Sequence, residues 1–350
     1  MGASFPVIAM LALLLVAGCS TSPKATPQSV VEDSPKIGQR LARTGQEIMV
    51  AGQLFHVGAP VVLWTDPGGY DAYRVERRFA SYAESGWEPT TRVAATQPDR
   101  VPGSPNRYGL RASELTDDEI EQVRGGGWPL ELLQKKVTQF VIHYDVCGTS
   151  RRCFHVLHDL RGLSVHFMLD IDGTIYQTLD LKERAWHAGT ANSQSVGIEI
   201  ANMGAYGTNE SLAPLEEWYE RDAAGRTYIT IPDRLGDGGL RVKGTYRPAR
   251  NELVVGEIHG RRLRQYDLTP QQYESLIKLT AALATVLPEI KLDYPRDEQG
   301  KLLLRALSAE ELKSYRGLLG HWHVTEAKVD PGPAFQWDLV IEQARKLKSR

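Results

Sequence analysis

Cysteine is scarce in this chain: three residues among 350, at positions 19, 147 and 153. They lack the closely repeated spacing of a structural zinc knuckle, so a cysteine-built zinc module is excluded. Net charge is small too. The 41 basic side chains face 43 acidic ones, a formal −2, which gives no general electrostatic basis for binding nucleic acid or an anionic membrane surface. Long hydrophobic runs are also missing: the marked apolar stretch, Phe5 to Ala17, is too short for a comfortable membrane-spanning helix. No internal repeat is evident. At this length a substantial core can be buried, in one domain or two.

The Phe5–Ala17 stretch has the form of an export signal. It ends in Val16-Ala17-Gly18-Cys19, small residues before a cysteine, as in a lipoprotein processing box. On that reading residues 1–18 are a signal peptide and Cys19 becomes the lipidated first residue. Met1 to Ser4 holds no Lys or Arg, a departure from the usual positive start. Residues 19–38, rich in Ser, Thr, Pro and Lys, read as a flexible tether, because little apolar burial offsets the entropy of ordering them. The expected location is the cell envelope, through an N-terminal lipid anchor on a membrane. Ser20 after Cys19 fits the periplasmic face of the outer membrane in a diderm cell. Lipid labelling that survives Cys19→Ser would end this expectation.

Residues 39–128 form an accessory region of unknown function, either a small domain or an elaboration packed on the part that follows. Phe55-His56-Val57 and Val61 to Trp64 are short strand candidates, and Thr116 with Glu119 fits a capping box. From about Trp128-Pro129 the signals strengthen. Phe140-Val141-Ile142 is a continuous apolar run suited to a strand covered on both faces, and it leads into His143. Val165–Leu169, an Asp172-Gly173 turn and Ile175-Tyr176 read as a hairpin. Ser195–Ile200 alternates, with Val196, Ile198 and Ile200 on one face and Gly197 and Glu199 on the other. Residues 204–265 are a long interruption that should hold local structure of its own, including a helix over 216–224. Trp218, Tyr219, Tyr228 and Tyr246 are candidates for a cleft lining or for a satellite apolar cluster. Thr269-Pro270-Gln271 starts a helix, and 302–312 is another helical candidate. His143, His321 and Asp330 could give a zinc ion three protein ligands and leave a fourth position for water or substrate.

Several motifs carry a resemblance. Val-Ile-His-Tyr at 141–144, Ser-Val-His-Phe-Met-Leu-Asp-Ile-Asp-Gly-Thr-Ile-Tyr-Gln at 164–177, Ala-Trp-His-Ala-Gly at 185–189 and Ser-Val-Gly-Ile-Glu-Ile at 195–200 are four of them. Lys328-Val329-Asp330-Pro331-Gly332-Pro333, with Phe335 and Trp337, is the fifth. In this order they resemble zinc N-acetylmuramoyl-L-alanine amidases, the superfamily of phage amidases and peptidoglycan recognition proteins. The resemblance spans residues 129–340 and offers nothing for 39–128.

It implies an α/β fold with a central mixed sheet flanked by helices over 129–350, carrying the N-terminal region and the 204–265 insertion as additions. One Zn2+ would be held by His143, His321 and Asp330, with His323 as the alternative second histidine. Glu199 would act as acid and base, and Lys328 would stabilise the anionic tetrahedral state. Tyr144, Trp186 and His187 would line the substrate cleft. Cys147 and Cys153, six positions apart, match a near-spaced pair in many recognition proteins and imply a disulfide in an oxidising compartment. The implied reaction is hydrolysis of the amide between the N-acetylmuramoyl lactyl group and L-alanine, in peptidoglycan or muropeptides. A noncatalytic peptidoglycan-binding protein and a structural envelope lipoprotein are the alternatives.

Overall fold

The computed structural model describes residues 1–2, 36–40, 43–73, 107–124 and 127–349. The export signal, the processing box with Cys19 and most of the tether lie outside the described residues. Six strands make the central sheet: β1 (Val61–Leu63), β2 (Gln139–Tyr144), β3 (Phe167–Leu169), β4 (Ile175–Gln177), β5 (Ser195–Ile200) and β6 (Gly317–Gly320), in the spatial order β6-β2-β5-β3-β4-β1. β3 and β4 pair antiparallel as a hairpin, and every other neighbour pair is parallel. This is the mixed sheet of an α/β fold.

Side-chain alternation then divides the sheet into two faces. Phe140, Ile142, Phe167, Leu169, Val196, Ile198, Ile200 and Leu318 enter the principal core, covered by helices α1 (Pro270–Val286) and α2 (Trp337–Lys348). α1 begins at a capping box, with the Thr269 side chain accepting from Gln272 N–H and Pro270 in the first turn. Val141, His143, Gly197, Glu199 and Leu319 occupy the alternate positions, so the chemistry-bearing side chains sit on the face away from α1 and α2.

The described residues between 39 and 128 contribute to this same core. Ile48, Val50, Phe55 and Val57, on and beside the hairpin Glu47–Val50 and Gln53–His56, are buried in it with Val61 and Leu63 of β1. The Gln177 amide bridges to Met49, accepting from its N–H at 2.7 Å and donating to its carbonyl at 2.8 Å. Residues Pro35–Arg350 form one compact unit. Gly38, near the end of the expected tether, is packed: its N–H donates to His56 O at 2.8 Å.

The insertion is structured. Tyr206–Gly207, Arg261–Gln265 and Val254–Ile258 form a three-stranded sheet. The helix expected over 216–224 is replaced by a short turn of helix, Ala213–Glu216, and a strand, Tyr219–Arg221, paired with Thr227–Ile229. Gly225 at φ +74 closes that hairpin, a conformation glycine adopts cheaply. Trp218 and Tyr219 belong to a buried satellite cluster, and Tyr246 is buried in another. The helix expected over 302–312 is confined to Ala309–Ser314, started by the Ser308 cap, while Leu302 bridges to Arg296.

Candidate metal centre

His143 and Glu199 are register partners on the adjacent parallel strands β2 and β5, so their side chains emerge side by side on the same face. His321 opens a helical turn, His321–Val324, directly after β6. The Asp330 loop is tied to this turn by Trp322 N–H, which donates to Asp330 O at 3.3 Å. Gln265 of the insertion holds the loop from the other side: its amide donates to Pro331 O at 2.9 Å and accepts from Ala334 N–H at 3.0 Å. A Cβ at Gly332 would come within 2.1 Å of Gln265 Oε1, so this close approach requires glycine.

Three ligand atoms converge here. His143 Nδ1 lies 2.8 Å from Asp330 Oδ2, His321 Nδ1 lies 3.0 Å from the same oxygen, and the two Nδ1 atoms are 3.0 Å apart. For a tetrahedral zinc with bonds near 2.0–2.1 Å the ligand–ligand edge is roughly 3.3 Å, so small relaxation would admit the ion. The donor set fits as well: two imidazoles and a carboxylate aim at a common point that one proton cannot satisfy. Burial, then the neighbouring His321, lowers the His143 pKa to about 4, so the ring is neutral at neutral pH. Asp330 is buried, which works against its charge, yet His321 and His143 hold its carboxyl well below the usual range.

Glu199 stands beside this triad in a cleft of about 140 Å3 that it shares with His143, His321, Lys328 and Asp330. Its Oε2 is buried without a hydrogen-bond partner. Burial, then the negative charges of Asp330 and Asp145, pushes its pKa well up. A cation at the centre would offset that. A second hollow of about 210 Å3, lined by Trp186, Gly189 and Asn192, shares Arg161, Leu163, His187, His321 and Lys328 with the first. A more open hollow of about 540 Å3 near Arg43, Asp66 and Arg241 shares none of these residues and holds none of the triad.

The other expected residues divide. Tyr144 borders the cleft and packs its ring against Gly204. Trp186 lines the second hollow. His187 borders both, but its Nδ1 faces His143 Nε2 at 3.0 Å, behind the triad. His323 points elsewhere. Its Nδ1 accepts from Gly320 N–H at 2.9 Å and its Nε2 donates to Leu303 O at 2.9 Å, so both nitrogens are occupied away from His143 and Asp330. Residues 321–324 are a helical turn rather than a strand; at about 100° per residue, positions two apart face different ways.

The expected disulfide is absent: Cys147 and Cys153 are free, buried thiols. Burial, then a hydrogen bond with Cys147, holds the Cys153 thiol well above its usual range. Little thiolate is therefore present to begin oxidation. Both thiols line the cleft.

Three participants escaped the sequence reading. Arg161 borders both hollows. Asp145 closes the loop after β2, its Oδ1 accepting from the N–H groups of Cys147, Gly148 and Asn202, and burial pushes its pKa up to about 7. The Asp145-x-Cys147-Gly148 spacing is a legible Asx-turn signal. Arg111 is wholly buried and donates to the carbonyls of Leu181, Asn192, Ser193 and Ser195, pinning the start of β5. No local pattern foretells it, because its partners are remote in sequence.

A sheet that brings two imidazoles, a carboxylate and an unpartnered acid into one cleft is the framework of a hydrolytic enzyme. Residues 133–333, more than half of the chain, match the family model described as N-acetylmuramoyl-L-alanine amidase, and the chain belongs to that family of enzymes. Among solved structures it is similar to a selenomethionine AmpD derivative, with 18% identity over 69% of this chain and 89% of that one, TM-score 0.30. It is similar to the E. coli N-acetylmuramyl-L-alanine amidase AmiD in complex with its substrate anhydro-N-acetylmuramic acid-L-Ala-D-gamma-Glu-L-Lys, with 18% identity over 63% and 59% of the two chains, TM-score 0.32. The Clostridium intestinale URNW endolysin LysCS gives 17% identity over 61% and 86%, TM-score 0.31. No curated protein matches.

Proposed function

We propose that the chain is a zinc-dependent amidase that cuts between the N-acetylmuramoyl lactyl group and L-alanine in peptidoglycan or muropeptides. The observation that carries this reading is the convergence of His143 Nδ1, His321 Nδ1 and Asp330 Oδ2 within 4.8 Å of one another, in the cleft that holds the unpartnered Glu199. When bound there, zinc supplies Lewis acidity for the scissile carbonyl and lowers the pKa of the attacking water.

The chain's own side chains do the rest. Glu199, ionised once a cation offsets Asp330, takes a proton from the attacking water and returns one to the departing alanine nitrogen. Lys328, at the border of both hollows, places its ammonium where negative charge develops on the former carbonyl oxygen. Arg161 on the same border offers a guanidinium to the carboxylates of the stem peptide, a planar pairing suited to that side chain. Tyr144 and Trp186 shape the walls.

The test is mass analysis of products from defined muropeptides, with and without zinc, for the wild type and Glu199→Gln. The expected result is lactyl–alanine cleavage that requires zinc and falls by about 10²–10⁴-fold in the variant. A cut between two amino acids would make the chain a peptidase, and muropeptide binding without turnover by zinc-loaded protein would make it a recognition module.

A further inference from the structure

His187 stands in a position that a substrate contact does not explain. Its Nδ1 lies 3.0 Å from His143 Nε2, and its own Nε2 lies 3.2 Å from Ser195 Oγ. The ring is laid on Gly197 of β5, where a Cβ would come within 2.4 Å of His187 Nδ1; Gly197 is spared for space and not for backbone conformation. The backbone is fixed as well, since the Asn192 side-chain oxygen accepts from the N–H groups of both His187 and Ala188, at 3.1 and 2.7 Å. The three side chains form a line, His143–His187–Ser195, that runs inward from the metal centre.

A line of neutral imidazoles has a direction. Each ring carries one proton, so each can donate from one nitrogen only while it accepts at the other. If Ser195 donates to His187, then His187 donates to His143 Nε2, and the His143 proton must sit on Nδ1, turned toward Asp330. That ring presents no lone pair to a metal. In the opposite direction His143 donates from Nε2, His187 accepts at Nδ1 and donates from Nε2, and Ser195 Oγ accepts. Only this second direction frees the Nδ1 lone pair for a ligand bond. The proton count is the same in both, so the switch is a tautomer shift and needs no net ionisation.

We infer that His187 is a positioning residue: backed by Ser195, it accepts the Nε2 proton of His143 and thereby fixes the orientation and tautomer in which His143 presents Nδ1 to the metal. This rests on the metal-centre reading above. It also assigns Gly197 a purpose, as the floor that lets the His187 ring approach β2.

The inference is tested by zinc affinity, measured by competition with a chromophoric chelator, on purified wild type, His187→Ala, His187→Asn and Ser195→Ala. His187→Ala is expected to lose about 10–100-fold in affinity, as partners of ligating histidines do, a loss read without substrate present. His187→Asn is expected to recover most of the loss, because its Oδ1 falls near the place of Nδ1 and can accept the same proton. Ser195→Ala should give a smaller fall in the same direction. Unchanged affinity in His187→Ala, or a raised KM alone, overturns the inference and returns His187 to the substrate wall. Should His187→Ala fail to fold, nitrogen chemical shifts of zinc-loaded wild type decide: His143 with a protonated Nε2 and metal on Nδ1 supports the relay, and metal on Nε2 overturns it. A wild type that takes up no zinc defeats the metal-centre reading itself.

Discussion

At the scale of single residues, burial decides which proton states are present before any ligand arrives. The same desolvation that keeps the His143 ring neutral pushes the Glu199 carboxyl well up, and Asp330 is held well below the usual carboxylate range because two imidazoles face it. His323 shows why the sequence left the second histidine open. A strand would turn positions 321 and 323 to one side, whereas the observed helical turn separates them, and nothing in Gly-His-Trp-His tells which conformation forms. Its pKa is lowered by burial to about 3, below the ordinary 6.5. The unfolded chain therefore binds the proton first as pH falls, so the contribution of His323 is full above about 6.5 and shrinks toward pH 3. Relative to His323→Gln, wild-type stability is expected to fall by about 1.4 kcal/mol per pH unit in that window and to be flat above it. Chemical denaturation of chelator-treated protein at several pH values measures this, and a pH-independent difference would place His323 in solvent.

At the scale of elements, the parts that hold most of the site were legible. Phe140-Val141-Ile142 read as a strand covered on both faces, and it lies inside the sheet, between β6 and β5. The alternation of Ser195–Ile200 separated Glu199 from its apolar neighbours, as the register with His143 requires. The Asp172-Gly173 turn and the Thr269 cap were equally local signals. Pairings across long separations were not legible. β1 is three apolar residues whose partner, β4, lies more than a hundred positions onward, and Gln265 reaches Pro331 from inside the insertion. That last contact has a consequence for metal uptake. Gln265→Ala leaves every ligand in place but strips the Asp330 loop of two hydrogen bonds, at a cost of about 1–3 kcal/mol. A weaker zinc affinity with the fold retained is expected in a chelator competition; wild-type affinity would show that the Gln265 bonds do not position Asp330.

At the scale of the whole molecule, residues Pro35–Arg350 form one compact unit, and strands that precede residue 129 enter its core. Ile48, Val50, Phe55, Val57, Val61, Val62 and Leu63 are all buried in the body of the protein. At about 1.5–3 kcal/mol each they are worth roughly 10–20 kcal/mol, as much as the whole net stability of a typical domain. A fragment of residues 129–350 is therefore expected to lack a cooperative unfolding transition, measured by near-ultraviolet circular dichroism on heating. A fragment that melts as sharply as the full chain would restore an autonomous domain. Composition and motif could not expose this dependence, because the N-terminal strands are short and resemble nothing, and their partners are set by the three-dimensional sheet.

The most direct measurement is the zinc stoichiometry of the purified, folded chain alongside Asp330→Asn. One ion per wild-type chain and none retained by the variant after dialysis is the expected result. Folded wild type that binds no zinc, or an Asp330→Asn chain that keeps a full equivalent, would contradict the His143–His321–Asp330 centre.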